Sequence, residues 1–167
     1  MSPRPLKVFA DGAVAARRIA RQLTSVSHHH PAAVMEEANL IVLGTPGFVP
    51  DFIAPGTIVW LASNEFSFDE VADLEGFGAV VFMAASEQGE EYVISANEEV
   101  AAVIGQTLLR EIGASFVEIP QQVHHKLGTW GARARQLRRR HEAETAMLVA
   151  EVRAAGLPEE YLHLMWH

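Results

Sequence analysis

The stretch Ala38–Ser63, ANLIVLGTPGFVPDFIAPGTIVWLAS, constrains the fold more than any other part of the chain. Leu40–Leu43 and Thr57–Leu61 are apolar runs rich in β-branched residues, with no polar alternation. A strand of that kind has no face for water, so it belongs in a parallel sheet covered on both sides. Gly44-Thr45-Pro46-Gly47 breaks the first run, and Pro55-Gly56 introduces the second. In open α/β sheets, ligands sit outside the carboxyl ends of the strands. Thr45, Pro46 and Gly47 then follow one strand, and Ser63 and Asn64 the next, at the expected site.

The same alternation runs through the first 120 residues. Leu6–Ala10 is a strand, Asp11-Gly12 a turn, and Ala13–Leu23 a helix with Val14, Ala15, Ile19 and Leu23 near one face. Pro31–Ala38 reads as a short helix with Pro in its first turn. Asn64–Glu75 is a loop and short helix, and Ala79–Met83 and Tyr92–Ser95 are strands. Asn97 is placed to cap a helix over Glu98–Ile112 whose buried stripe is Val100, Val103, Ile104, Thr107 and Leu108, ended by Gly113. Ser115–Ile119 is the last strand. Strands alternating with helices predict an α/β sheet. From Gln121 the character changes to a linker, a long polar helix over Thr129–Ala155, a stop at Gly156-Leu157-Pro158, and an apolar tail with Tyr161, Leu162, Leu164, Met165 and Trp166. The expected division is residues 1–120, the α/β domain, and 121–167, a helical segment that pairs two copies as a homodimer.

Strand, glycine turn and helix is how a dinucleotide-binding unit begins, but the G-x-G-x-x-G positions here read Ala10, Gly12 and Ala15. Gly12 keeps the turn and is a weak cofactor contact. Asp11 sets a carboxylate where phosphates would sit. An acidic residue that would bind the ribose is expected about 20 residues on, after a second strand; the chain instead runs almost directly from the first helix to Leu40. A strand and a helix of the usual unit are missing on this reading.

Composition narrows the functional classes. There is no cysteine, so thiolate catalysis, disulfides and Cys-based metal sites are excluded. The net charge is −8, and no Lys or Arg occurs between Gln22 and Leu109. The densest basic group, Arg133, Arg135, Arg138, Arg139 and Arg140, reads as a solvated helix face rather than a nucleic-acid surface. No apolar run is long enough for a membrane span, and the start lacks a signal peptide, so a cytoplasmic protein without membrane contact is expected. His28-His29-His30 reads as a solvent-exposed loop rather than a metal site, because adjacent side chains on an extended segment point apart.

The order of pieces resembles the β-hydroxyacid dehydrogenase superfamily, which includes hydroxyisobutyrate and phosphogluconate dehydrogenases, ketopantoate reductase and imine reductases. The resemblance is carried by ANLIVLGTP, APGTIVWLAS, AVVFMAAS, NEEVAAVIGQTLLREIGA and HHKLGTW; TPGFVPDFIAPGTIV is also similar to a piece of methylenetetrahydrofolate dehydrogenases. It implies a shortened Rossmann-like, mostly parallel sheet with a long C-terminal helix. It implies that Lys126 matches the family's catalytic lysine, with Trp130 where the partner asparagine stands, and that Ser63 and Ser86 contact substrate. Catalytic candidates are then Lys126, His124 and His125, and substrate-binding candidates Thr45, Pro46, Ser63, Asn64, Ser86 and Trp130, the two groups facing each other across the strand ends. Three functions follow: acid–base chemistry on a carbonyl-containing small molecule without a fully bound dinucleotide; a minimal NAD(P)H-dependent carbonyl or imine reductase; or a non-catalytic dimerising or regulatory protein.

Overall fold

The computed structural model describes residues 4–26 and 28–156. Seven strands form one sheet in the order β2-β1-β3-β4-β5-β6-β7. They are β1 (Lys7–Ala10), β2 (His30–Pro31), β3 (Leu40–Leu43), β4 (Ile58–Leu61), β5 (Val80–Ala85), β6 (Glu91–Ala96) and β7 (Ser115–Glu118). All neighbours are parallel except β5 and β6, which pair antiparallel with Phe82 opposite Ala96 and Ala85 opposite Val93. The helices are α1 (Val14–Val26), α2 (Phe68–Gly76), α3 (Glu99–Glu111) and α4 (Gln121–Ala154), with a single 3-10 turn at Met35–Glu37.

The two apolar runs behave as their composition requires. Every residue of β3 is buried, as are Val59, Trp60 and Leu61 of β4. Alternate side chains feed two cores. Leu40, Val42, Trp60, Phe82, Tyr92 and Ile94 pack with α1 and α3. Ile41, Leu43, Val59, Leu61, Val81 and Met83 pack with α2. The α/β architecture with a shortened, mostly parallel sheet and a long C-terminal helix is therefore present.

Several local expectations are corrected. The second strand is not missing: it survives as the two residues of β2, hydrogen-bonded beside β1, and the 3-10 turn stands in place of the expected helix over 31–38. Asn97 does not cap α3, which starts from Glu98 without a side-chain cap. Its amide instead donates to the Glu75 carboxylate at 2.8 and 3.1 Å. Gly113 does follow α3, at φ +71, where a β-carbon would be strained. The helix from Gln121 is continuous through the expected linker. Among the described residues one compact unit ends at Gly128 and a second begins at Thr129, within the span of α4. The apolar tail lies outside the described residues.

The expected stripe of α1 is buried at Ile19 and Leu23, with Ala15 packed beside them, and departs only at Val14, which is 82 % exposed. The face of α3 is turned further: Val100 and Val103 are 61 % and 55 % exposed. Ala101, Ala102 and Gly105 meet the sheet there, with Leu108. A β-carbon on Gly105 would lie 2.7 Å from both Ile94 Cδ1 and Phe82 Cδ2. Close approach of helix to sheet, rather than the largest apolar side chains, selects the face. Gly105→Ala should therefore destabilise the fold by about 1–3 kcal/mol through overpacking, although alanine is the better helix former; urea unfolding of the two proteins measures it.

Candidate functional site

The polar residues gather at the carboxyl ends of the parallel strands, in two places. The first lies between β1 and β3, where the strand order reverses. A crevice of this kind is where open α/β sheets hold ligands. Here the Asp11 carboxylate spans it. One oxygen accepts hydrogen bonds from the amides of Gly44 and Thr45, both at 2.9 Å, and the other accepts from Ala13 at 3.0 Å. A β-carbon on Gly44 would lie 2.6 Å from Ala13 Cβ, so glycine is what lets the end of β3 close on the start of α1. Thr45 is exposed and Pro46 and Gly47 follow it, with Gly47 N donating to Glu70 of α2. Gly12 is exposed in the turn. Backbone amides that would otherwise face a diphosphate already hold a carboxylate, so these residues do not fit a dinucleotide seated in the usual way.

The second place is an open hollow of about 370 Å³ at the ends of β4 and β5, bordered by Asn64, Ser86, Glu87, Glu90, Val93 and Val117 among others. Asn64 and Ser86 are thus brought together as the sequence suggested. Ser86 Oγ accepts from the Gly89 amide at 2.9 Å across the β5–β6 turn, and a hydroxyl that accepts one hydrogen bond keeps its own hydrogen to donate. Ser63, by contrast, accepts from the Glu65 amide at 3.2 Å and does not border this hollow.

Asn64 is fixed by a buried chain of hydrogen bonds. His124, 0 % exposed, sits between Ser95 and Asn64, with Nδ1 2.6 Å from Ser95 Oγ and Nε2 2.5 Å from Asn64 Oδ1. The Asn64 carbonyl oxygen accepts, so Nε2 carries the proton and Nδ1 accepts from the Ser95 hydroxyl. Burial, and secondarily the neighbouring His125, lowers the His124 pKa from 6.5 to about 4. Gly128, one turn on, brings α4 against the same loop: a β-carbon there would lie 2.3 Å from the backbone carbonyl oxygen of Asn64.

The other candidates of this segment do not converge with it. His124 is a core histidine rather than an accessible acid or base. His125 is half-buried, its ring centroid 3.6 Å from that of Phe68. Its pKa is lowered by burial, against a hydrogen bond to the Phe66 backbone. Lys126 is exposed, and two residues along a helix from His124 it lies on the opposite side. Trp130 is 55 % exposed in the second unit. The anticipated row of His124, His125 and Lys126 facing Thr45, Ser63 and Ser86 is not formed, because helical rather than extended backbone turns successive side chains apart. Ser95 escaped the sequence reading; its one signal was a hydroxyl inside an otherwise buried strand.

The histidine triplet is also corrected. His29 is 5 % exposed, not a loop residue in solvent. Its Nδ1 accepts from the Leu6 amide at 3.0 Å and its Nε2 donates to Glu111 at 2.7 Å, tying β1 to the end of α3. Among the described residues no group of three side chains is placed to hold a metal ion, and no helix is long and apolar enough to cross a membrane.

By sequence, the chain matches neither a family model nor a curated protein. By structure, it is similar to the V8 variant of an imine reductase from Myxococcus stipitatus in complex with NAD+, with TM-score 0.59 and 14% identity over 95% of this chain and 60% of that one. It is similarly close to a semialdehyde dehydrogenase NAD-binding protein from Cupriavidus necator in complex with calcium and NAD, with TM-score 0.55 and 14% identity over 98% and 80%. The fold is Rossmann-like. The chain spans about three fifths of the imine reductase's length.

His124 makes the scaffold pH-sensitive. Above the unfolded pKa of 6.5 the ring is neutral in both states and its contribution is complete. As pH falls from 6.5 towards 4, the unfolded chain takes up a proton that the folded chain refuses, so stability declines by about 3 kcal/mol across that window. Urea midpoints between pH 7.5 and 4 should show this loss, and His124→Gln should flatten it.

Proposed function

We propose that the hollow at the ends of β4 and β5 is a small-molecule active site for acid–base chemistry on a carbonyl-containing substrate. The observation that carries this reading is the commitment of the Asn64 side-chain oxygen to His124, which leaves the Asn64 amide nitrogen as a donor on a residue that borders the same hollow as Ser86. Two such donors would polarise a substrate carbonyl and stabilise the enolate oxygen. A rim carboxylate, Glu87 or Glu90, would take the proton from the adjacent carbon and return it elsewhere. Isomerisation, dehydration and cyclisation can open with that proton transfer, whereas decarboxylation reaches the same enolate by loss of CO2 and then takes up a proton.

The preformed geometry supports the reading: Asn64 is oriented through a buried chain and so loses little freedom on binding. No dinucleotide takes part in this scheme. A homodimer through the C-terminal helix belongs to the same proposal, supported by the exposure of Trp130, Leu137, Met147 and Leu148 along α4. The alternative of an NAD(P)H-dependent carbonyl or imine reductase is supported by the likeness of fold to the imine reductase solved with NAD+.

Proton exchange separates the readings. With a series of 2-oxo and 3-oxo acids in deuterium oxide, followed by proton NMR, the protein should accelerate α-proton exchange for at least one member by roughly a hundredfold over buffer. Asn64→Ala and Ser86→Ala should each lower that rate by about tenfold or more while leaving the melting temperature of Ser86→Ala unchanged. Consumption of NADPH with those acids, without exchange in its absence, would favour the reductase. No exchange and no consumption with any of them would leave a non-catalytic protein.

A further inference from the structure

We infer that Asp11 is a built-in substitute for the phosphate of a dinucleotide, so that this domain excludes the cofactor its fold is otherwise shaped to hold. The inference concerns the crevice between β1 and β3 and is independent of the chemistry proposed for the Asn64 hollow.

Three facts meet there. The first is position: the carboxylate lies at the carboxyl ends of β1 and β3, where the strand order reverses, and beside the amino end of α1, whose dipole favours an anion. The second is saturation. The amides of Ala13, Gly44 and Thr45 all point to the two Asp11 oxygens at 2.9–3.0 Å, which is a nest of the kind that receives a phosphate oxygen. A diphosphate entering it would have to displace a tethered anion or sit beside it. Repulsion between two such charges a few ångströms apart is alone worth about a thousandfold in affinity.

The third fact concerns the other end of the same ligand. The strand that should carry a ribose-binding carboxylate is only His30–Pro31, and Ala32, Ala33 and Val34 follow it. One end of the dinucleotide finds its seat filled, and the other finds no carboxylate at the end of β2, the nearest in sequence being Glu36 and Glu37 in the 3-10 turn. A protein that had merely lost affinity would need neither the aspartate nor its three amide partners.

The test is gain of binding. Isothermal titration with inorganic pyrophosphate, ADP, NADH and NADPH is run on the wild-type chain, Asp11→Gly and Asp11→Asn, with circular dichroism confirming that each is folded. The wild-type chain should show no saturable binding up to roughly millimolar ligand. Asp11→Gly, which empties the nest, should bind pyrophosphate and ADP at least about tenfold more tightly. Asp11→Asn, which removes the charge and keeps one carbonyl acceptor for the amides, should gain in the same direction and decides the matter if the glycine variant does not fold. Micromolar binding of NADH or NADPH by the wild-type chain would overturn the inference, as would folded variants that bind no better than wild type. Either result leaves proton exchange at the Asn64 hollow as a separate measurement.

Discussion

Strands β3, β4 and β5 have no side in contact with water, and the rest of the molecule follows from that. Their side chains alternate into two apolar cores, so a polar group on the strands themselves would need an internal partner or would cost several kcal/mol. Polar chemistry is consequently driven to the strand ends. The same two-sided burial requires helices pressed close to the sheet, and this explains why alanine and glycine, rather than Val100 and Val103, join the leucines on the contact face of α3. Dispersion and the exclusion of water both reward the closer approach.

Two histidines show how the chain admits polar groups into that interior. His29 and His124 are both buried, and each has a partner for both ring nitrogens. A neutral imidazole is one donor and one acceptor, so two partners satisfy it completely. Each ring also joins segments far apart in the chain: His29 links β1 to α3, and His124 links α4 to β6 and to the loop after β4. In a sheet whose ladders specify pairing between strands, these rings specify how outlying segments lie over it. Leaving one nitrogen unpaired would cost about 1–3 kcal/mol.

The scaffold and its uses part company at the strand ends. The fold is shared with oxidoreductases that were solved with NAD bound, yet fold alone carries no activity. This chain's own strand ends hold a carboxylate bonded to three backbone amides, a two-residue β2, and an asparagine bonded to a buried histidine at an open hollow.

Local pattern alone determined a good deal. Unbroken apolar runs announced parallel strands, Gly113 marked the end of α3, and the carboxyl ends of β3 and β4 were recognisable as the place for Thr45, Asn64 and their neighbours. Periods of two and 3.6 residues are properties of neighbouring residues, so they are visible without the fold. Only tertiary structure decided which face of α3 is buried, since that depends on the distance to a sheet many residues away. Only tertiary structure placed His124 between Ser95 and Asn64, turned Lys126 to solvent, and brought Asp11 to amides more than thirty residues distant. Those are contacts across the chain, set by where the strands lie beside one another, and no local period records them.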